Sequence, residues 1–296
     1  MIPLLAFVAL SSCKKTVVGP LEITKADFNT YFKVAGTPYN TFQAVVATLS
    51  VPAAGENQNW DFTTLSETSS SINGGANFLV PTNAAYPSAT LSFAGTSTYR
   101  SGANASPGFA TTNFFEISDD GYYTLGFSQN APTAISIASL GATLNYPAQN
   151  LTYTGTTKYP NVLFPMKFGT APNVTSGIVF TNNYTVNAAA FGLINTPGQT
   201  KVTSSVTLEI IGSGTANLKG IGQVRVLLAK SSWSDKANYF LGGAPAPAAL
   251  LSNLGITDGG VTTGTTYRFI AEGLGGVGLI DVNASGVITS ASFRKG

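Results

Sequence analysis

The side chains able to do chemistry in this chain are few, and the absent types narrow the choice as much as those present. Histidine does not occur, which removes the commonest general base, the usual transition-metal ligand and every triad that depends on imidazole. The single cysteine, Cys13, excludes an intramolecular disulfide and a zinc site built on several thiolates. Thirteen carboxylates remain. Two of them held about 5–9.5 Å apart suffice for glycoside hydrolysis, so a carboxylate-dependent polysaccharide hydrolase stays open as the enzymatic reading. Their local contexts point elsewhere. Asp119 and Asp120 precede Gly121 in a hairpin turn, and Asp281 stands just before another, positions where Asp is selected for bonding to nearby backbone. Asp119 and Asp120 are also the only calcium candidates, although their loop lacks the alternating acids of an EF-hand. No catalytic residue, other metal site or cofactor is expected.

Aromatic rings are the other resource. The chain has two tryptophans, 12 tyrosines and 18 phenylalanines, some adjacent, as in Tyr122-Tyr123. Neighbours on a strand face opposite sides, so one ring of such a pair can enter the core while the other meets solvent. Exposed rings among Asn and Thr can stack on sugar faces. Trp60, Tyr122, Tyr123 and Trp233 are the candidate ligand-binding rings, with Trp60 also readable as a core anchor whose indole N–H bonds locally. The glycine run Gly273–Gly278 is followed by neither a lysine nor a helix signal and is read as a bulged strand, not a phosphate loop.

The elements that must position these groups are strands. Hydrophobic residues make up 44% of 296 residues, which is enough for a core. Charged residues make up 9%, against about 25% in an average soluble domain. The net charge of +2 is dispersed, so no basic stripe supports nucleic-acid binding. Asn113–Ser118 and Tyr122–Phe127, joined through Asp119-Asp120-Gly121, form the strongest hairpin signal, with Asp-Gly expected to supply a positive φ. Ser176–Val186 reads as a strand with a bulge or turn at Asn182-Asn183. Thr200–Ile211, a turn at Gly212-Ser213-Gly214, Thr215–Lys219 and Gln223–Lys230 read as a meander. Residues 234–265 read as a long loop insertion, with at most one short helix near 247–254. Tyr267–Glu272, Gly276–Asp281 and Val287–Phe293 close the chain as strands. The expectation is an all-β fold, an antiparallel β-sandwich, with an open or closed barrel-like sheet as the alternative. Residues 21–296 are expected to form one domain.

The N-terminus carries a different signal. The apolar run Leu4–Leu10 leads into Leu10-Ser11-Ser12-Cys13 and then Lys14-Lys15. This arrangement resembles the lipobox of bacterial lipoproteins. The resemblance implies that residues 1–12 are a signal peptide, that Cys13 becomes the acylated first residue and that 13–20 form a lipidated tether. The partner so implied is a membrane, most simply the outer membrane of a cell envelope, with the periplasmic or surface face left open. Met1-Ile2-Pro3 lacks the basic n-region of an export signal, so the natural start is expected upstream. The competing reading is a buried N-terminal strand with Cys13 in the core. Seven apolar residues are too few for a spanning helix, which needs about 20.

Gly55-Glu56-Asn57-Gln58-Asn59-Trp60-Asp61-Phe62-Thr63-Thr64-Leu65 is similar to an early motif in secreted and lipoprotein β-proteins of Bacteroidota. Tyr86-Pro87, the Phe114–Phe127 hairpin, Leu163–Gly169, Gly212–Leu218 and Val224–Lys230 follow in the order that group shows. The resemblance implies an exported compartment and a β-rich fold. The functional expectation is a non-catalytic envelope lipoprotein that binds a glycan, a peptide or an envelope protein. The alternatives are the hydrolase above and a structural or adhesive surface component.

Overall fold

The computed structural model describes residues 19–27, 40–72, 78–101, 104–154 and 158–296. The expected signal peptide, Cys13 and most of the expected tether lie outside them. Among the described residues no helix is long and apolar enough to cross a membrane.

The chain is all-β, as its alternating β-branched and aromatic runs require. The expected hairpin forms from Phe109–Ile117 and Gly121–Gln129, paired antiparallel. Gly121 serves it differently from the Asp-Gly expectation: its need is room, because a Cβ there would stand 2.5 Å from the Val162 carbonyl O of the next strand.

The dominant element is a longer hairpin. Leu193–Leu218, 26 residues, runs antiparallel to Gly222–Leu241, 20 residues. Gly212-Ser213-Gly214 is therefore not a turn. It marks a register shift between Ile210 and Gly212, and beside it Gly55–Asp61 pairs in parallel with the same strand. Gly214 makes that approach possible, since an added Cβ would fall 2.0 Å from the Gln58 carbonyl O. The bulge in Asn173–Ala188 likewise lies between Ser176 and Ile178, not at Asn182-Asn183. The insertion expected at 234–265 is shorter. Strand structure continues to Leu241 and resumes at Gly260–Ala271, with the short helix Ala248–Asn253 in between, where a helix was expected. The alternation of Ser232, Ser234 and Lys236 with Trp233 and Asp235 suits a strand whose two faces have different surroundings.

One large sheet runs, in hydrogen-bond order, from Thr133–Ile137 through Ala142–Tyr146, Asn173–Ala188, the long hairpin, Gly260–Ala271, Gly275–Asn283, Ile288–Lys295 and Asn40–Ala44 to Glu67–Ile72. A second contains Phe78–Leu79, Leu91–Ser97, Phe109–Ile117, Gly121–Gln129 and Tyr159–Leu163. Gln149–Thr154 bridges them, pairing with Gly121–Gln129 at its start and with Asn173–Ala188 at its end. Among the described residues no ladder joins Phe78–Leu79 to Glu67–Ile72, so the arrangement is a sandwich and not a closed barrel.

The large sheet curls. Phe62 follows Gly55–Asp61 at one margin and Phe293 lies several strands away, yet their rings stack at 4.3 Å. Trp60, Phe62 and Phe42 gather with Phe269 and Phe293 in the concavity. The convex face packs Leu227 and Ile270 against Val162 and Met166 of the other layer, with Leu21 and Ile23 from the N-terminal segment.

Candidate functional site

The residues singled out by sequence do not converge. Trp60 is 8% exposed and meets Phe269 edge-on at 5.2 Å, which makes it core. Its indole N–H has no hydrogen-bond acceptor among the described residues, contrary to the expected local bond. Tyr122 faces the core between the layers, 5.5 Å from Phe115. Tyr123 faces away, with the Lys158 ammonium 5.6 Å from its ring centre. Burial, then the charge of Asp120, pushes its hydroxyl up to about 12. Trp233 lies across Gly264, its ring 2.5 Å from where a Cβ would stand there. Asp119 is exposed and pairs with Lys25 at 2.6 Å. Asp120 accepts a hydrogen bond from the Ser118 hydroxyl, which holds its carboxyl below the usual range. Among the described residues no three acids or cysteines gather as metal ligands, so Asp119 and Asp120 gain no third donor.

A concave site forms instead at the far end of the long hairpin. On Asn173–Ala188 the alternate residues Phe180, Asn182, Tyr184 and Val186 share one face by strand periodicity. Register continues that face across the sheet, through Val202 and Thr200 to Tyr239 and Leu241. Gly198 opposes Tyr184, and a Cβ there would fall 2.3 Å from the tyrosine ring, so glycine provides its seat. Tyr146 comes from Ala142–Tyr146, and Tyr99 precedes the short strand Arg100–Ser101. The Tyr99 and Tyr146 rings stack at 4.0 Å, and Tyr146 meets Tyr184 at 5.2 Å.

Buried Gln129 fixes this group. It accepts from the Tyr99 hydroxyl at 2.8 Å, and its amide donates to the carbonyls of Ala131 at 2.8 Å and Tyr146 at 3.3 Å. Thr200 donates to the Tyr184 hydroxyl at 3.4 Å. The segment between Leu241 and Gly260 folds over the opening. Ala246 N–H donates to the Tyr239 carbonyl at 2.9 Å, and the Asp258 carboxylate accepts from the Tyr239 N–H at 2.8 Å. Leu250 and Leu251 of the helix are buried by this fold-over.

The enclosed space measures about 300 Å³ and is lined by Tyr99, Tyr146, Tyr184 and Tyr239, with Asn182, Thr200 and aliphatic residues of the sheet and the overlying segment. Arg100 is the one charged side chain of the lining, and no carboxylate is among it. Burial raises all four phenols, Tyr99 to about 12. They are neutral at physiological pH and act as stacking faces with hydroxyl donors and acceptors. Sequence reading missed all four, because each sits in a different segment of the chain and only the fold unites them. The alternation Phe180, Asn182, Tyr184, Val186 was the one legible trace.

No family model matches the chain, and no curated protein matches it. Among solved structures it is similar to a protein from Bacteroides fragilis assigned as exported and described as having a YmcC-like fold. The identity is 8%, over 88% of this chain and 94% of that one, and the TM-score is 0.24.

Proposed function

We propose that this protein is an exported, lipid-anchored envelope component that binds the terminal sugars of a glycan in the tyrosine cavity and leaves them unchanged. The observation that carries this reading is the lining itself: four neutral tyrosines, the Asn182 amide, the Ser101 and Thr200 hydroxyls and one arginine around about 300 Å³, with no carboxylate. Rings suit the C–H faces of a pyranose, and the phenol, amide and hydroxyl groups suit its edges. The volume lies at the small end for ligand sites, matching one or two sugar units. A retaining or inverting hydrolase would need two carboxylates at the bound bond, which this lining lacks. The anchor rests on Leu4–Cys13 and the lysines after it, and the low charge suits an exported surface.

Calorimetric titration of the purified protein with a panel of neutral oligosaccharides tests the cavity. At least one should bind saturably and be recovered intact, with affinity falling tenfold or more in Tyr146→Ala. Binding by none, binding unchanged in Tyr146→Ala and Tyr184→Ala, or cleavage of the ligand would each overturn the reading. For the anchor, Cys13→Ala should move the protein from the membrane to the soluble fraction; unchanged fractionation with no acyl mass on Cys13 would remove it.

A further inference from the structure

The opposite face of the same long strands carries a second surface. On that face the hairpin leaves the core at Leu228, and the neighbouring strand leaves it at Phe269. The next residues outward form three aligned rows across three strands. Glu209, Lys230 and Tyr267 make the first, Thr207, Ser232 and Thr265 the second, and Ser205, Ser234 and Thr263 the third. The first row holds one charge of each sign. The other two are six hydroxyls in a lattice, about 4.8 Å apart between strands and about 6.7 Å apart along them. Ser232 and Thr265 lie 3.5 Å from each other. The remaining four hydroxyls have no side-chain hydrogen-bond partner among the described residues.

This lattice is the floor of a groove. Val51 and the turn around Asn283, Ala284 and Gly286 complete its lining, and the space is about 490 Å³. It lies where the curled sheet runs out beyond its aromatic core, at the mouth of the concavity, a place where β-folds commonly receive ligands.

We infer that this groove holds an extended, neutral polysaccharide chain laid across the strands. Each free hydroxyl both donates and accepts, as sugar hydroxyls do, and the groove lining carries a single charge, Lys230, which is paired in register with Glu209 on the neighbouring strand. The length of a hexose in an extended chain is close to the separation of adjacent strands, so successive sugars meet equivalent rows. Three strands make room for about three sugar units. The site differs from the tyrosine cavity in position, in the opposite face it uses and in the part of a glycan it takes, chain interior instead of chain end. It does not depend on the cavity being occupied.

Affinity electrophoresis of the intact protein through gels containing soluble neutral polysaccharides, with an acidic one for contrast, tests this. Thr207→Val with Thr265→Val keeps shape and strand preference while removing two hydroxyls. At least one neutral polysaccharide should retard the protein. The double variant should weaken that retardation tenfold or more at an unchanged thermal midpoint, and Tyr146→Ala should leave it intact. Affinity for purified oligomers of that polysaccharide should rise from two units to about three or four and then level off. If the double variant fails to fold, Ser205→Ala with Ser234→Ala carries the same test. Retardation by no neutral polysaccharide, retardation unchanged in a folded hydroxyl variant, or retardation by the acidic polymer alone that Lys230→Gln abolishes would overturn the inference. Loss of retardation in Tyr146→Ala, with the hydroxyl variants unaffected, would place all binding in the cavity.

Discussion

The two halves of the long hairpin share one backbone and have opposite surroundings. Between Val226 and Ala229 both faces of the strand are covered: Val226 and Leu228 enter the aromatic core, Leu227 packs against the second layer, and all three are fully buried. Beyond Lys230 the concave side runs out of core, while the other side stays covered through Ser231, Val206 and Ser204 before it opens. One face opens onto the tyrosine cavity and the other onto the hydroxyl groove. Strands of globular proteins usually run about 3–10 residues, so 26 and 20 residues far exceed what a core of this size requires. The surplus length carries surface. Placing stability in the near half and recognition in the far half lets each vary with little effect on the other, because sites far apart with no shared partners add nearly independently.

The strongest attempt to break that division is Phe269→Ala. Phe269 is fully buried and touches both Trp60 and Phe62, at 5.2 and 4.9 Å. Its truncation should cost about 3–5 kcal/mol in chemical denaturation and leave glycan affinity of the folded fraction unchanged. A selective loss of affinity at constant stability would show the halves to be one unit.

Alkaline titration sharpens the comparison from the far side. Tyr99 is raised to about 12 by burial, and Tyr146, Tyr184 and Tyr239 are raised by burial first and then by neighbouring phenols or the Asp258 charge. A hydroxyl whose folded pKa lies above its unfolded value of 10 favours the folded state fully below pH 10, and that contribution fades as pH climbs through the folded value. Stability should therefore hold to about pH 10 and fall toward 12, and the part of the phenolate absorbance that Tyr99→Phe and Tyr239→Phe remove should rise late and together with unfolding. An early rise of that part in the folded protein would mean that the cavity tyrosines are open to solvent.

Gly214→Ala is a smaller perturbation, confined to the near half. A Cβ 2.0 Å from the Gln58 carbonyl must push Gly55–Asp61 away from its parallel partner. We expect a loss of about 1–3 kcal/mol, with faster amide exchange in Gly55–Asp61 and no change in ligand affinity.

Features written in local sequence were the more legible, and the reasons are physical. Alternation and local turns are written in consecutive residues, so the Phe109–Gln129 hairpin, the closing strands, the short helix and the core role of Trp60 could all be read. Gly212-Ser213-Gly214 misled because glycine serves both as a turn and as a place where another backbone comes close, and only the neighbouring strand tells the two apart. Residues 234–241 read as loop because Ser234, Asp235, Lys236 and Asn238 interrupt the apolar signal of the strand. The cavity was illegible for a third reason. Tyr99, Tyr146, Tyr184 and Tyr239 meet through register and through the bridging strand Gln149–Thr154, neither of which is stated by spacing along the chain. Of the rings that were singled out, Trp60 and Tyr122 pack in the core, Tyr123 carries the Lys158 ammonium, and Trp233 borders the hydroxyl groove.

The mildest test is Tyr99→Phe, which asks whether the cavity is held open by its own hydrogen bonds. The Tyr99 hydroxyl donates to the Gln129 side chain at 2.8 Å, and Gln129 is 2% exposed. Removing the hydroxyl leaves the amide oxygen of Gln129 without that donor. The cost should be about 1 kcal/mol, the central value for a neutral hydrogen bond. The ring itself stays stacked on Tyr146, so sugar affinity should fall only severalfold, in contrast to the tenfold or greater loss expected for Tyr146→Ala. Denaturation and calorimetry on the same variant separate the outcomes. An affinity loss as large as that of Tyr146→Ala, with stability unchanged, would make the Tyr99 hydroxyl a direct ligand contact and Gln129 merely its resting partner.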